Sequence, residues 1–569
     1  MKSNPCLKQA AVLLLAALLL FGRLSSFPLT DRDEGEYAAS CSEMIKRGEY
    51  VVPYLNGRPY LEKPILFFWI VACSFTVFGE NEFGARLPSA VAAFCLLWFM
   101  MVFTNHYLKE KTTGLLSVLI LLSSPLFMLI ARACLTDMIL SLFVWLSLVL
   151  FYAFMQDGHK LVKLSLSWLF LSLGFLTKGP VAIAMCVPVF LIYSFLKQDF
   201  SWLRPRMVLV GIVIFLTVNL PWYLSIYLRQ GHAFIETFFV TQNIERFTTT
   251  LLGHGGGPFF YLAVLLIGMF PISGFIPFLI KKGYDSLKAR HLGSTTGQGK
   301  SLVDFCLLSF CWILLLLSLS ATKQINYVVP ALPFLAVAMA LTLTEDAKGY
   351  SPSLLANLTI WLVAACLIML SVVLLVWPDG MWNTLTGLVR FDSTEYAFPL
   401  MPPSRLRCWG ESMIIVAVTC ISLCSMKRWG LKACVVAGVM FSAFFVAYLL
   451  PDIACTFQRP AKMMALKVGK VAQWEEARTN RKVRMLSFGL WKPSMIFYSS
   501  HHIMRIKTKH RNRLETALLA KGPCFVFTRK KVLRLVGNIR TFRTICERDG
   551  YLLGGNQEAL VLMNRFDSP

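Results

Sequence analysis

Charged residues are scarce in this 569-residue sequence: they make up only 15% of it, and 31 Asp and Glu stand against 56 Lys and Arg. Hydrophobic residues account for 56%, and the mean hydropathy is +0.61. A soluble globular domain carries about 25% charged residues. The shortage of charge therefore excludes the ordinary soluble class and indicates an integral membrane protein.

Regularly spaced cysteines are also missing. The 16 cysteines follow no pattern, and most of them lie in apolar runs, where a free thiol behaves as a small hydrophobic side chain. The sequence likewise lacks an internal repeat and a low-complexity tract. We therefore expect no disulfide framework and no cysteine-based metal site.

Long apolar runs, in contrast, are plentiful, and several exceed the roughly 18 to 20 residues with which a helix crosses about 30 Å of hydrocarbon. The first run lacks a small-x-small cleavage site because "FGRLSSFP" follows it, which favours a retained helix over a cleaved signal peptide. The shorter run 64–79 begins at a proline and is interpreted as a helix in the membrane interface. We predict a mostly α fold with about thirteen membrane helices, at 7–22, 87–107, 113–131, 134–155, 161–176, 179–197, 206–228, 258–281, 302–320, 326–344, 354–376, 411–425 and 431–451.

The connections between these helices alternate in charge. One set is rich in Lys and Arg, as in "KKGYDSLKARHLGSTTGQGK", and the positive-inside rule places this set and the N-terminus in the cytoplasm. The other set comprises the long segments 23–86, 229–257 and 377–410, which then face outward, into the periplasm of a bacterium. We therefore expect a multi-pass protein of a bacterial inner membrane.

The tail, 452–569, differs in composition from the membrane region, 1–451. It holds 23 Lys and Arg against 8 Asp and Glu, so it carries most of the net charge of +25. The stretches "VRMLSFGL", "MIFYSS", "CFVFTR" and "ALVLMNR", around the helix-like "RLETALLA", predict a small α/β domain. An outward position disfavours nucleic acid as its partner and favours anionic lipid head groups or a phosphorylated glycolipid.

Acidic and basic residues from six separate parts of the chain are predicted to lie at the outward membrane surface. They are found in "DRDEGEY", "LNGRPYLEKP", "ARACLTD", "TKGP", "NIERF" with "GHGGGPFFYL", and "SATKQINYVVP". Charges without a function scatter to both sides of a membrane, whereas the cytoplasmic connections here hold almost only Lys and Arg. The one-sided distribution indicates a functional site.

Each of these residues also fits a structural role. The acids of "DRDEGEY" suit a helix N-terminus, and Asp137 suits an N-cap beside Thr136. The lysines of "TKGP" and "SATKQ" suit interfacial anchors, and His254 suits a turn among glycines. Glu62 has Lys63 and Arg58 as nearby ion-pair partners.

Carboxylates and cations on one membrane surface are what glycosyl transfer from a lipid-phosphate sugar requires. A carboxylate orients or deprotonates the acceptor oxygen as it attacks the anomeric carbon. Lysines and arginines hold the phosphate that leaves. A Glu and a His offer two ligands to a divalent metal ion, which is a weak signal.

The stretch "RDEGEYAASCSEMIKRGEYVVPYLNGRPYLEKPILFFWIVACSFTVFGENEFGARLPSA", 32–90, closely resembles the first outward loop of the aminoarabinose transferase family, bacterial enzymes that modify lipid A. "TKGP" and "HGGGPFFYL" extend the resemblance. That family belongs to the GT-C membrane glycosyltransferases, which include the protein O-mannosyltransferases. The resemblance implies thirteen spans, two large outward loops and a soluble C-terminal domain.

The resemblance also implies roles for individual residues. Asp33 and Asp137 match carboxylates required for transfer, and Glu34 is the second acid of the "DE" pair. Where relatives often read "DEGRY", this chain has Glu36, which replaces a phosphate-attracting charge with a repelling one. The implied donor-phosphate and site-lining residues are Lys63, Lys178, Arg246, Tyr37 and Tyr327, and the residues implied to hold a divalent, zinc-like ion are Glu62 and His254.

We therefore expect a GT-C glycosyltransferase that moves a sugar from a polyprenyl (undecaprenyl) phosphate donor to an outward-facing acceptor, most plausibly a lipid A phosphate. A protein O-glycosyltransferase of the same fold is the alternative acceptor class. A transporter or lipid flippase is the alternative from another class, and it is disfavoured because transporters place their charges near the midplane and show repeated halves. The expected partners are the donor lipid, the acceptor and membrane lipids, and not nucleic acid.

Overall fold

The computed structural model of the protein describes residues 5–108, 111–250, 255–276, 298–346, 354–388, 401–425, 430–532 and 539–567. These residues form a bundle of apolar helices and, near the C-terminus, a domain built on one mixed sheet. The mostly α fold with a small α/β domain, predicted from composition and apolar patterning, is confirmed.

Among the described residues, seven helices are long and apolar enough to cross a membrane, or up to nine if each of two bent helix pairs counts as one span. The count of thirteen spans is therefore not confirmed. Three apolar helices are shorter, including those at the predicted spans 7–22 and 179–197. The candidate spans are Glu82–Leu108, Thr136–Gln156, Leu161–Lys178, Pro205–Gln230, Ser301–Leu319, Ile325–Thr344 and Ala433–Thr479, and the shorter helices are Cys6–Phe21, Leu66–Phe78 and Val181–Lys197.

One predicted span, 113–131, is broken in the structure. The helices Lys111–Leu122 and Pro125–Ala131 meet at an angle of 77°. Pro125 cannot donate a backbone hydrogen bond and suits the first turn of a new helix. Ser124 caps that helix, because its hydroxyl accepts from the backbone N of Phe127 at 3.2 Å.

The first long segment, 23–86, is mostly ordered into secondary structure. It contains the helix Asp33–Arg47, a two-stranded antiparallel hairpin of β1 (Tyr54–Leu55) and β2 (Arg58–Pro59), and the helix Leu66–Phe78. The helix Asp33–Arg47 has three acids in its first turn and two bases in its last, which complement the helix dipole. Gly48 ends it with a left-handed φ of 65°, a conformation that glycine adopts without steric cost.

The second long segment, 229–257, is helical over most of its described part. The helix Pro205–Gln230 leads through a short turn into a π-helix, Ile235–Glu245, and the chain then forms the turn of helix Arg246–Thr248. The remaining helices are Pro5–Phe21, Phe260–Gly268, Gln298–Leu319, Leu332–Asp346, Leu354–Val376, Pro378–Leu388, Pro403–Ser425, Gly430–Phe444 and Leu450–Thr479, with 3-10 turns at Ser201–Leu203, Ile272–Phe275 and Ile325–Ala331 and a π-helix at Phe445–Leu449.

The tail sheet has five strands in the order β4-β3-β5-β7-β6. β3 pairs in parallel with β4 and β5, whereas β7 pairs antiparallel with β5 and β6. The strands are β3 (Arg484–Phe488), β4 (Ile503–Ile506), β5 (Cys524–Arg529), β6 (Arg543–Arg548) and β7 (Tyr551–Gly555), and the helices between and after them are Pro493–Ser499, Arg511–Leu519 and Gln557–Asp567.

Two of the strand-like stretches in the tail are helices. "MIFYSS" lies in the helix Pro493–Ser499, and "ALVLMNR" lies in the helix Gln557–Asp567. The first is buried at every position, so its apolar residues show no face that distinguishes a helix from a strand. Pro493 at its first turn is the local signal for a helix start.

Both faces of the tail sheet are covered. Along β5, Phe525 and Phe527 pack into the large core shared with the long helix Leu450–Thr479, and Val526 packs with Leu514 of the helix on the opposite face. That long helix runs without a break across residue 452, at which the tail domain was predicted to begin. The membrane bundle and the tail sheet are therefore joined by one continuous helix.

Candidate functional site

A buried ion pair joins two helices at one end of the bundle. Lys178 ends the helix Leu161–Lys178, and its Nζ lies 2.6 Å from Oδ1 of Asp137, in the first turn of the helix Thr136–Gln156. Asn326 donates to the other carboxylate oxygen at 2.9 Å. Asp137 is only 2% exposed, so this carboxylate holds Lys178 in one position and is itself held by Asn326.

Glycine is required directly after Lys178. Gly179 has a φ of +81°, and a Cβ at this position would lie 2.5 Å from Cζ of Phe238. Phe238 belongs to the π-helix Ile235–Glu245. The "KGP" turn therefore lets the second long segment pack against the residues that end the Lys178 helix.

Two cations share the face of one aromatic ring. Lys178 Nζ lies 4.4 Å from the centroid of the Tyr327 ring, and Cζ of Arg246 lies 6.0 Å from the same centroid. Arg246 donates to the side-chain oxygen of Gln242 at 2.6 Å. Its Nε is buried and has no hydrogen-bond partner in the part of the chain that the structure describes, so this donor is free to bind a ligand.

Lys63 adds a third cation. Its side chain is buried, and burial together with the positive charges of Arg246 and Lys178 lowers its pKa to about 8. Like charges close together in a buried place destabilise each other unless an anion joins them. Lys63, Lys178 and Arg246 therefore form a cluster suited to a phosphate.

Three carboxylates of the first long segment lie beside these cations. Asp33 and Glu62 act electrostatically on Lys63, and both also act on Glu36. Burial and the charges of Glu62 and Asp33 raise the pKa of Glu36 to about 8. Glu36 is therefore mostly protonated at neutral pH, and the repulsion of phosphate expected from its sequence position is largely absent there.

Aromatic rings support this acidic group. Tyr37 is buried, and its ring packs edge-on against Phe67 at 5.2 Å and Phe68 at 5.9 Å between centroids. Burial and the negative charges of Asp33 and Asp137 raise the pKa of Tyr37. Tyr37 is therefore a neutral phenol close enough to both carboxylates to be affected by their charge.

Glu34 has a different environment from Asp33. Its carboxylate accepts five hydrogen bonds, two from Arg86, two from Thr30 and one from the backbone of Cys134. Burial raises its pKa, but Arg86 and these hydrogen bonds more than offset that effect and lower it. A carboxylate with all its acceptor positions occupied is suited to holding the segment in place, and the catalytic role of Glu34 stays a prediction.

Two further basic residues of this surface bind helix ends. Lys323 Nζ donates to the carbonyl of Ser318 at 2.8 Å. Arg132 donates to the carbonyls of Leu19 and Leu20 at 2.6 and 2.9 Å. Cations at helix C-termini satisfy free carbonyls and the helix dipole, so these two residues are structural.

Known proteins are similar to this chain over much of its length. The profile of the dolichyl-phosphate-mannose-protein mannosyltransferase family matches residues 62–224. An uncharacterized protein of Aquifex aeolicus is 30% identical over 334 residues, 57% of this chain and 70% of that protein. The undecaprenyl phosphate-alpha-4-amino-4-deoxy-L-arabinose arabinosyl transferase of Yersinia enterocolitica is 28% identical over 469 residues, 80% of this chain and 79% of that enzyme. The chain is therefore similar to an aminoarabinose transferase over most of its length and to the protein mannosyltransferase family over residues 62–224.

The fold of this chain matches that of a solved structure. The crystal structure of ArnT from Cupriavidus metallidurans bound to undecaprenyl phosphate superposes with a TM-score of 0.77, covering 97% of this chain and 98% of that one at 18% sequence identity. The apo structure of the same enzyme gives a TM-score of 0.75. At 18% identity, this likeness shows the fold that the two proteins share.

The structure describes only one of the two residues predicted to bind a metal ion. Glu62 lies in the acidic group, whereas His254 lies outside the described residues. Within the described ranges, no three or more His, Cys, Asp or Glu residues come together in a way that could hold a metal ion. The divalent-ion site at Glu62 and His254 therefore stays a prediction.

The structure also shows site residues that the sequence analysis missed. Asp31, two residues before Asp33, accepts from Lys492 at 3.0 Å and from the backbone and hydroxyl of Ser494 at 2.8 Å each. A Cβ on Gly35 would lie 2.5 Å from the backbone N of Ser494, which explains the glycine in "DEGEY". The signal available in the sequence for Lys492 was its isolation: this lysine stands alone between "GLW" and a proline in an apolar stretch.

Proposed function

We propose that this protein moves 4-amino-4-deoxy-L-arabinose from undecaprenyl phosphate to a phosphate of lipid A. The observation that carries the proposal is the cluster of three cations, Lys63, Lys178 and Arg246, beside Asp33. Lys178 and Arg246 both lie by the Tyr327 ring, and the Nε of Arg246 has no hydrogen-bond partner among the described residues. Lysine and arginine at one place are suited to the donor phosphate.

In the proposed reaction, an oxygen of the lipid A phosphate attacks the anomeric carbon of the sugar. A carbon–oxygen bond forms there, and the bond from the same carbon to the undecaprenyl phosphate oxygen breaks. The electron pair leaves with undecaprenyl phosphate, which gains negative charge. Lys63, Lys178 and Arg246 stabilise that charge as it develops, which is the most effective kind of electrostatic catalysis in an enclosed site.

Asp33 is the proposed acid/base or orienting carboxylate. It lies in the first turn of the helix Asp33–Arg47, and none of the described residues donates a hydrogen bond to its side chain. An available carboxylate accepts a proton from the acceptor oxygen, or orients it through a hydrogen bond. Asp137 is the supporting carboxylate, because it fixes Lys178 at 2.6 Å.

The proposal places this site on the periplasmic side. Lys160 and Lys163 lie at the start of the helix that Lys178 ends, so the basic connection and the site are at opposite membrane surfaces. A C-terminal alkaline phosphatase fusion is expected to be active and a green fluorescent protein fusion dark. The reverse pattern would place the tail in the cytoplasm and overturn this topology.

Lipid A mass spectrometry tests the proposed reaction. Cells with this protein are expected to show the mass increment of one aminoarabinose on lipid A, and cells with Asp33→Asn to show none. Asp567→Asn, which changes a half-exposed carboxylate of the tail, is the matched control and is expected to retain the increment. Modification by Asp33→Asn at the wild-type level would remove Asp33 from the mechanism.

Protein O-mannosyl transfer is the second candidate, because residues 62–224 match the profile of the protein mannosyltransferase family. Unchanged lipid A together with a protein-bound hexose that depends on Asp33 would favour it. The same cation cluster would then hold the phosphate of a polyprenyl-linked mannose.

A further inference from the structure

A cavity of about 210 Å³ lies away from the cation cluster, between the tail domain and the start of a membrane-bundle helix. One wall is the beginning of the helix Pro403–Ser425, and another is the long helix Leu450–Thr479. The turn between β6 and β7 closes the third side. Its polar and ionisable lining residues are Arg405, Cys455, Thr456, Arg459, Arg548 and Asp549.

The charge of this lining is strongly one-sided, with three arginines and one aspartate. Arg405 pairs with Asp452 at 3.3 Å, and Arg548 approaches Asp549 only to 3.9 Å, with both of the latter more than half exposed. Exposed pairs of this kind hold their partners weakly. Arg459 has no carboxylate within ion-pair distance in the described ranges, so its guanidinium is available to a ligand.

The ligand chemistry that fits this lining is a phosphate. Guanidinium groups present paired donors that match two oxygens of one phosphate, and several of them around one cavity raise the local concentration of anions. Thr456 is already committed, because its hydroxyl donates to the carbonyl of Asp452 at 2.7 Å. The arginines therefore supply the recognition.

The position of the cavity favours a lipid as the source of that phosphate. Arg405 lies in the first turn of a helix that continues into the apolar sequence "MIIVAVTCISLC", and the helix that carries Arg459 begins inside the candidate span Ala433–Thr479. Pocket volumes for whole drug-sized ligands are about 300 to 1,000 Å³. At about 210 Å³, this cavity suits a head group whose acyl chains remain in the bilayer.

The same helical segment also touches the first long segment of the chain. Cys455 donates to the carbonyl of Ser26 at 3.9 Å, and Gln458 accepts from Lys492 at 2.6 Å. Lys492 in turn holds Asp31. Arg459 is therefore about one helical turn or less along the helix from Cys455 and Gln458, which contact the first long segment and the lysine that holds Asp31.

We propose that this arginine-lined cavity binds the phosphate of a lipid head group at the outward membrane surface. The proposal deepens the proposed function, because the acceptor lipid of that reaction also carries a phosphate. Only the identification of the bound lipid as the acceptor rests on the proposed function. Lipid binding is measured in the absence of the sugar donor. A protein that fails to bind the lipid can therefore be distinguished from one that fails to transfer the sugar.

Native mass spectrometry of the full-length protein in detergent tests the cavity. The probes are short-chain phosphatidic acid, whose head group is a phosphate, short-chain diacylglycerol with the same acyl chains at the same concentration, and inorganic phosphate as competitor. We expect phosphatidic acid to bind wild-type protein, and Arg459→Gln to weaken it about tenfold, as the loss of one charge-assisted hydrogen bond predicts. Arg459→Gln with Arg548→Gln is expected to weaken it further.

Arg481→Gln is the matched control, since it removes one exposed arginine just after the same helix, and it is expected to bind as the wild type does. Equal binding of phosphatidic acid by the wild type and the double variant would overturn the site. Equal binding of diacylglycerol, which has no phosphate, would overturn the phosphate assignment. Displacement by an equimolar amount of inorganic phosphate would overturn the lipid assignment, because the acyl chains would then contribute nothing.

Discussion

The ammonium nitrogen of Lys492 lies 3.0 Å from Oδ2 of Asp31, and neither side chain is exposed at all. Ser494 satisfies the same carboxylate with two further hydrogen bonds. Asp31 precedes Asp33 by two residues. The tail domain therefore holds the chain two residues before Asp33, the proposed catalytic carboxylate.

Lys492→Met is expected to destabilise the protein and to reduce transfer. Removing one partner of a buried ion pair leaves the other charge uncompensated, at a cost of about 3 to 5 kcal/mol. Lys467→Met is the matched control, because its pair with Asp567 is about half exposed on both sides. Thermal unfolding in detergent compares the two variants, and equal melting temperatures would contradict the role of Lys492. Addition of Asp31→Asn to Lys492→Met should recover part of the loss.

Glu34→Gln is expected to act on stability, because Glu34 forms the buried pair with Arg86 at 2.9 Å. The loss should again be about 3 to 5 kcal/mol. Glu547→Gln changes an exposed pair with Lys530 and should cost less than about 1 kcal/mol. Chemical or thermal unfolding measures both. A Glu34→Gln protein with wild-type stability and no transfer would instead support the catalytic role first assigned to Glu34.

The pH dependence of transfer should reflect Lys63. Burial and the charges of Arg246 and Lys178 lower the pKa of Lys63 to about 8, so Lys63 loses its positive charge as the pH rises through that value. We expect kcat/KM, which reports the free enzyme, to decline above about pH 8. Lys63→Arg keeps its charge at any accessible pH and should move the decline upward.

Glu36→Gln is the control for that profile, since Glu36 titrates in the same range. A decline that persists in Glu36→Gln and disappears in Lys63→Arg assigns it to Lys63. A decline that disappears only in Glu36→Gln would show that Glu36 is the group responsible.

Glu36 should also make stability depend on pH. Its pKa is about 8 in the folded chain, mainly because of burial and the charges of Glu62 and Asp33, against an ordinary value of 4.5. Between these values the unfolded chain has released the proton while the folded chain retains it, so the free energy of unfolding falls as the pH rises. As the pH rises from 5 to 8.5, the melting temperature of Glu36→Gln should therefore rise relative to that of the wild type. A constant difference over this range would contradict the raised pKa.

Several features of the fold were predictable because they depend on local composition. Apolar runs long enough to cross a bilayer predict a membrane bundle whatever their partners are, and β5 (Cys524–Arg529) was recognisable from its apolar, aromatic stretch. The 77° break before Pro125 was not predicted, because apolar length alone does not reveal a bend within a span. "MIFYSS" was misread because a segment buried on all sides has no polar face to mark its period.

The candidate site shows the same division. The one-sided distribution of acids and bases, and the resemblance of "RDEGEY" to a known family, were enough to select Asp33, Asp137, Lys63, Lys178 and Arg246, and their roles in transfer stay predictions. Sequence alone could not separate Asp33 from Glu34, because neighbouring residues on a helix point in different directions and meet different partners. Only the fold brings Arg86, 52 positions away, to Glu34.

The sequence by itself determined that this protein lies in a membrane, which family it resembles, and which polar residues share one surface, because these properties follow from hydropathy, charge and short motifs. The tertiary structure decided which carboxylate is saturated and which is available, that Glu36 retains its proton near neutral pH, and that Lys492 reaches Asp31 from the tail domain. Those outcomes depend on burial and on contacts between distant parts of the chain, and no local pattern of residues specifies either.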